Sequence, residues 1–75
     1  MNSLLNYKES QNMSIKLELE LAQIERQLRR IDSKLRKAKG DYFFHASERV
    51  KRANDLTHEA RRILINGRLV PRVYQ

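Results

Sequence analysis

A chain of 75 residues without cysteine is long enough for one small domain with a thin core, and no disulfide can support that core. The longest uninterrupted apolar run is the three residues 63–65, far short of the roughly 20 that span a bilayer, and the first residues carry no secretory leader, which together predict a cytoplasmic protein without a membrane partner. The net charge of +7 is concentrated in residues 26–39 and 61–75, a distribution that favours a polyanionic partner.

The pattern in chain order predicts two amphipathic helices. A segment over residues 1–11 precedes helix 1, which is predicted over 12–39, and helix 2 is predicted over 41–66, followed by an extended tail over 67–75. Between the helices, Gly40 suits the end of a helix and Asp41 suits the start of the next one. The two apolar stripes have the helical spacings of three and four: Leu17, Leu21, Ile24, Leu28, Ile31, Leu35 and Ala38, then Phe43, Ala46, Val50, Ala53, Thr57, Ala60 and Leu64.

The two stripes mirror each other about the turn, so that Ala38 would face Phe43 and Leu17 would face Leu64. This symmetry predicts an all-α antiparallel two-helix hairpin, with Arg61 and Arg62 placed beside Glu18 and Glu20. Further apolar residues lie outside the predicted contact, so either the N-terminal segment through Leu4, Leu5 and Tyr7 folds back over them or a second chain docks on them. A homodimer that forms a four-helix bundle is the preferred interpretation. We expect an antiparallel dimer.

An alternative interpretation concerns residues 15–21, which alternate between apolar and charged side chains as a half-buried strand does. A strand there, followed by two helices, would suggest a ribbon-helix-helix dimer. Leu, Glu and Lys dominate the segment and favour helix, and the helical stripe continues through Leu17 and Leu21 without a change of phase. The helical interpretation is therefore preferred.

Few residues suit catalysis or cofactor binding. The chain lacks a thiol and a glycine-rich phosphate loop, so we expect neither an enzyme nor a cofactor site. Asp55, His58 and Glu59 could share one helix face, but they lack the spacing of a zinc motif. A solvated charged face is the preferred interpretation, and no metal is expected.

The basic cluster of helix 1 is the strongest functional signal. Its members project away from the Leu/Ile stripe along about 16 Å of helix, and only Asp32 offsets their charge. Phosphate or another acidic surface is the preferred partner, and an ordinary solvated face is the alternative interpretation. We call this set the basic ridge: Arg26, Arg29, Arg30, Arg36 and Lys37. Beside it, Lys39 with Tyr42 and Phe44 could provide a stacking surface for bases, although the two aromatic rings could equally plug the end of a bundle.

A second basic block ends helix 2. There the residues from Glu59 to Val70 form a basic, apolar helical turn that runs into Gly67-Arg68-Leu69-Val70. This segment resembles the small TraD-like conjugal transfer proteins, which are accessory components of the relaxosome. The resemblance implies a role at plasmid transfer origins, with a relaxase or another protein of the nucleoprotein complex as partner. Its matched basic positions are Arg61, Arg62 and Arg68.

Two functions remain open from the sequence. In the first, the protein is a nucleic-acid-binding accessory factor of a mobile element, with DNA as the expected target, and its basic ridge holds the phosphate backbone. In the second, it is a helical adaptor or inhibitor that docks on a protein or nucleoprotein without binding nucleic acid itself.

Overall fold

The protein is an antiparallel hairpin of two long helices. The computed structural model describes residues 3–69, with side chains from residue 8 onward, and places α1 at Ser3–Lys37 and α2 at Asp41–Leu69. The two helices pack against each other along their length. The predicted all-α hairpin is confirmed, and no strand occurs within residues 3–69, since residues 15–21 lie inside α1.

The helix boundaries differ from the prediction mainly at the N-terminus. α1 begins at Ser3 rather than at residue 12, and it ends at Lys37 rather than at residue 39. The contact with α2 extends one residue beyond the predicted start, because the side chains of Gln11 and Ser14 donate hydrogen bonds to the backbone carbonyls of Arg68 and Leu64. α2 continues to Leu69, so residues 67–69 of the predicted tail are helical, and the remaining tail, 70–75, lies outside the described residues.

A three-residue connection reverses the chain at Gly40. This glycine has a φ of 137°, and its carbonyl accepts hydrogen bonds from the backbone N–H groups of Phe43 and Phe44 at the start of α2. A β-carbon there would lie 3.3 Å from the Tyr42 ring and 3.4 Å from the Phe43 ring. Both the dihedral angle and the tight packing therefore require glycine at this position.

The contact between the helices is rotated from the predicted one. Leu21, Leu28 and Leu35 of α1 are half-buried as expected, and so are the following residues of α2: Phe43, Val50, Thr57 and Leu64. The other half of the predicted α1 contact is wrong, because Leu17, Ile24 and Ile31 remain 40, 42 and 46% exposed. Their places in the contact are taken by the next residues along the helix, the acidic row of Glu18, Glu25 and Asp32, which are buried.

The predicted register also shifts. Leu64 was expected opposite Leu17, but its carbonyl accepts a hydrogen bond from Ser14, nearly one helical turn away. On α2 the contact likewise moves by one residue, from Ala46, Ala53 and Ala60 to the row of Ser47, Asn54, Arg61 and Arg68. The physical reason is that acidic residues of α1 and basic residues of α2, each spaced by seven, pair across the contact between the helices, which we call the seam. The apolar stripe is wider than this contact can cover.

This rotation gives the hairpin two different sides. One side holds the residues one position before the acidic row of α1 and one position before the Ser47, Asn54, Arg61 and Arg68 row of α2. The opposite side holds the residues one position after the half-buried apolar residues of each helix. The first side we call the apolar face: Leu17, Ile24, Ile31, Ala46, Ala53, Ala60, with Leu56 and Ile63 beside them. Among the described residues, no apolar side chain is buried. Neither helix within residues 3–69 has an apolar stretch suited to crossing a membrane.

Replacement of the turn glycine provides a test of the connection. Gly40→Ala should lower the free energy of unfolding by about 1–3 kcal/mol, because alanine strains at positive φ and its β-carbon crowds two rings. Gly67→Ala, inside α2, should have the opposite sign and raise stability by up to about 1 kcal/mol, since alanine is the better helix former. Urea unfolding followed by circular dichroism measures both. Equal effects of the two substitutions would contradict this account of the turn.

Candidate nucleic-acid interface

The acidic row anchors the two helices through ion pairs with arginines of α2. Arg61 Nε donates to Glu25 Oε2 at 2.5 Å, and Arg68 donates from Nε and a terminal nitrogen to the two oxygens of Glu18 at 2.9 and 3.0 Å. The His58 imidazole Nδ1 lies 3.0 Å from the other Glu25 oxygen. The Glu25 side chain is only 3% exposed, so its charge is answered by protein groups rather than by water.

Asp32 occupies the same row nearer the turn. It accepts a short hydrogen bond from the Ser47 hydroxyl across the seam. It also forms an ion pair with Arg36, one turn along α1, at a distance of 2.6 Å. Lys51 of α2 adds a favourable charge to the same carboxylate. Asp32 therefore holds Arg36 at the edge of the seam, and the Arg36 side chain is still 68% exposed.

These contacts lower the pKa of all three carboxyl groups of the acidic row. For Glu18 and Glu25 the main cause is the hydrogen bond from Arg68 or Arg61, which outweighs the opposing cost of burial. For Asp32 the main cause is the hydrogen bond from Ser47. The same pairs raise the pKa of Arg61 and Arg68. The acidic row is thus held ionised by the fold.

The basic ridge lies on the outer and lateral surface of α1, and all five of its residues are exposed. Arg29 and Arg36 flank the seam on the side opposite the apolar face, Arg26 lies next to them, and Arg30 and Lys37 occupy the outer edge. Arg26 and Arg30 also line a shallow depression with Gln23 and Gln27, whose amides are further hydrogen-bond donors. All five residues are exposed, as predicted, but Arg29 and Arg36 lie beside the seam rather than on the side of α1 away from it.

A groove of about 420 Å³ runs beside the ridge near the turn. Arg36 and Lys51 line it from the two helices, and the Phe44 ring lies against it together with the acidic Asp32 and Glu48. Lys51 was not among the predicted binding residues. Its position seven residues after Phe44, on the same strip of α2, is the sequence signal that identifies it.

The aromatic residues at the turn divide between packing and exposure. Phe43 is half-buried in the seam and stacks with Tyr42, whose ring centroid is 4.2 Å away, although Tyr42 itself is largely exposed. Phe44 is exposed and makes an edge contact with His45. The predicted stacking pair of Tyr42 and Phe44, with Lys39 between the helices, thus presents two accessible rings at the basic end of the hairpin.

The fold concentrates the whole net charge at that end. Residues 26–52, which form the half of the hairpin around the turn, contain ten basic and three acidic residues and so carry +7. The remaining 48 residues contain six of each sign and are neutral. A separation of this kind makes the turn half the part of the molecule that attracts polyanions.

The C-terminal basic block has a different environment. Arg61 and Arg68 are committed to Glu25 and Glu18, in place of the predicted pairing of Arg61 and Arg62 with Glu18 and Glu20, whereas Arg62 is exposed. Sequence reasoning missed these pairs, and the signal that could have revealed them is the seven-residue spacing of acids in α1 and of arginines in α2. Within the described residues, Asp55, His58 and Glu59 do not form a group that could hold a metal ion.

No protein-family model, curated protein or solved structure matches this chain.

Removal of a buried carboxylate tests the role of the acidic row. Glu25→Ala should lower the free energy of unfolding by about 1–3 kcal/mol, because it leaves Arg61 and His58 without their shared partner. A loss of this size corresponds to a fall of roughly 5–20 °C in Tm. Glu20→Ala, which removes an exposed carboxylate from the same helix, is the matched control and should change Tm by less than about 3 °C. Equal shifts would show that the seam does not depend on this pair.

Acid should weaken the hairpin through the same groups. A carboxyl whose pKa is lowered in the folded state stabilises that state at pH values above its unfolded pKa, and the stabilisation is lost as pH falls through the lowered value. We therefore expect Tm to stay level between pH 7 and about 5 and to fall below the usual Glu and Asp range of about 4. Circular dichroism melts across pH 7 to 2 measure this. In Glu25→Ala the acid-induced fall should be smaller than in the wild-type protein.

Proposed function

We propose that this protein binds nucleic acid, with DNA as the expected target, through the basic surface at the turn end of its hairpin. The single observation that carries the proposal is the confinement of the net charge of +7 to residues 26–52, on a surface where the cations of the basic ridge are exposed. Phosphate contacts by lysine and arginine supply most of the affinity of sequence-independent nucleic-acid binding.

The arrangement of the ridge suits a phosphate backbone. Its five cations extend over about 16 Å of one helix, which is comparable to the spacing of several successive phosphates along a strand. Lys51 continues the positive surface across the groove on to α2. Phe44 and Tyr42 next to this surface provide rings on which exposed bases could stack, a combination used by proteins that bind single strands.

The proposed biological setting is an accessory role in a mobile element, and it rests on the C-terminal resemblance to the small TraD-like conjugal transfer proteins. In a relaxosome the hairpin would hold DNA while a relaxase carries out the chemistry. Arg61 and Arg68 are paired within the fold, and their side chains are only 28 and 26% exposed. The basic ridge, whose one paired member Arg36 is still 68% exposed, is therefore the group that we expect to meet the nucleic acid.

A salt titration of paired variants tests this function. For the wild-type protein on duplex DNA, five phosphate contacts predict a slope of about −4.5 for the logarithm of the association constant against the logarithm of salt concentration. Arg29→Ala with Arg30→Ala should weaken binding several-fold and reduce the slope to about −2.7, while Tm stays nearly unchanged, since exposed charges add little stability. Fluorescence anisotropy of a labelled duplex measures the affinity.

The matched control removes two cations from the neutral half of the same helix. Lys8→Ala with Lys16→Ala lowers the net charge by the same two units, and both lysines are exposed. This variant should keep the wild-type slope if the turn end is the site. If both double variants bind the duplex with the same affinity and the same salt slope, the positive charge contributes to binding without a defined binding surface. If the wild-type protein does not bind at low salt, the function is that of a helical adaptor.

A further inference from the structure

The apolar face is a feature of the hairpin that neither the seam nor the basic ridge uses. Its large members on α1 are 40–46% exposed, and Leu56 and Ile63 of α2 are 55 and 56% exposed. The described part of the hairpin buries no apolar side chain, so this part lacks the core that a domain of this size needs. Covering this face would provide the missing apolar burial.

We propose that a second copy of this chain covers the apolar face, with the two hairpins antiparallel, so that their turns lie at opposite ends of a four-helix bundle. In this arrangement α1 packs against α1 of the other copy, and α2 packs against α2. The pairing is isologous, which means that each copy offers the same surface and the assembly closes as a dimer.

The apolar face has the symmetry that such a pairing requires. Its α1 row is centred on Ile24, with Leu17 and Ile31 seven residues to either side, and its α2 row is centred on Ala53, flanked in the same way by Ala46 and Ala60. The contacts of Asp32 with Ser47 and of Gln11 with Arg68 set the register of the hairpin, and this register places Ile24 within about one turn of the level of Ala53. One two-fold axis at that level therefore relates both rows to themselves.

The side-chain sizes suit this packing. The branched residues of α1 can interdigitate with their symmetry mates, while the alanine row allows the two α2 helices to approach closely. Leu56 and Ile63 lie at the edge of the alanine row and would cover it from the side.

Charge decides the orientation of the two copies. If the turns met at the same end, two halves of charge +7 would lie side by side, which like-charge repulsion opposes. In the antiparallel arrangement each basic half lies beside the neutral half of the other copy, whose exposed acids include Glu9, Glu20 and Glu59. The antiparallel dimer therefore keeps the basic surfaces apart.

The arrangement places the two turns about 50 Å apart, since Gly40 is 16 residues from Ile24 and each helical residue advances 1.5 Å. If the proposed nucleic-acid binding holds, the dimer presents two binding ends and can bridge two nucleic-acid segments. The dimer itself does not depend on that function.

Cysteine cross-linking tests the interface directly, because the natural chain has no cysteine. Ile24→Cys lies on the proposed two-fold axis and should form a disulfide with its own copy under mild oxidation in the absence of nucleic acid, as should Ala53→Cys. Leu17→Cys alone should cross-link poorly, but an equal mixture of Leu17→Cys and Ile31→Cys should give the mixed dimer. A non-reducing gel measures the cross-linked fraction, and circular dichroism checks that each variant remains helical.

The control is Leu19→Cys, which exposes a thiol on the other side of α1. It should remain uncross-linked under the same conditions. Preferential cross-linking between Ile24→Cys and Ala53→Cys would instead mean that the turns lie together, and it would overturn the proposed orientation. A wild-type chain that sediments as a monomer at micromolar concentrations, or cross-linking through Leu19→Cys, would overturn the interface. Because nucleic acid is absent, these outcomes are separate from a failure of the binding proposal.

Discussion

The organisation of this protein depends on the pairing of buried carboxylates with arginines across the helix seam. Glu18 and Glu25 are held by Arg68 and Arg61, and these charge-assisted hydrogen bonds require the acidic row to face α2. Rotating α1 to bring the acidic row inward turns Leu17, Ile24 and Ile31 of the apolar stripe outward. One electrostatic constraint therefore creates both the polar seam and the exposed apolar face.

The two ends of the hairpin differ in charge, because the half around the turn is cationic and the open half is neutral. α1 ends at the turn with Lys34, Arg36 and Lys37, where the partial negative charge of the helix C-terminus stabilises cations, and α2 starts there with Asp41, where the N-terminus stabilises an anion. Each helix end therefore carries side chains of the complementary sign, while the opposite partial charges of the two helix ends cancel at the turn and leave its net positive charge in place. The neutral open half contains Arg61 and Arg68, whose charges are paired with Glu25 and Glu18 in the seam.

Much of the fold was accessible from the sequence, because it depends on local signals. Two helical stripes and a glycine between them predict the hairpin and its turn, and distance from the stripe predicts the exposure of the basic ridge. The seam was predicted one residue out of phase because periodicity locates an apolar stripe but does not show which part of a wide stripe a given partner covers. Leu17 and Glu18 are neighbours on the helix, and only the long-range pairing with Arg68 decides which of them faces inward.

A seam built from ion pairs and half-buried leucines has a thermodynamic consequence. The heat-capacity increase on unfolding comes from the exposure of apolar surface and is reduced by the exposure of polar surface. Because the seam, as far as residues 8–69 describe it, buries carboxylates and no complete apolar side chain, opening it releases little apolar area per residue. The isolated hairpin would have a flat stability curve, with weak dependence on temperature, and a strongly curved profile would arise only when the apolar face is covered.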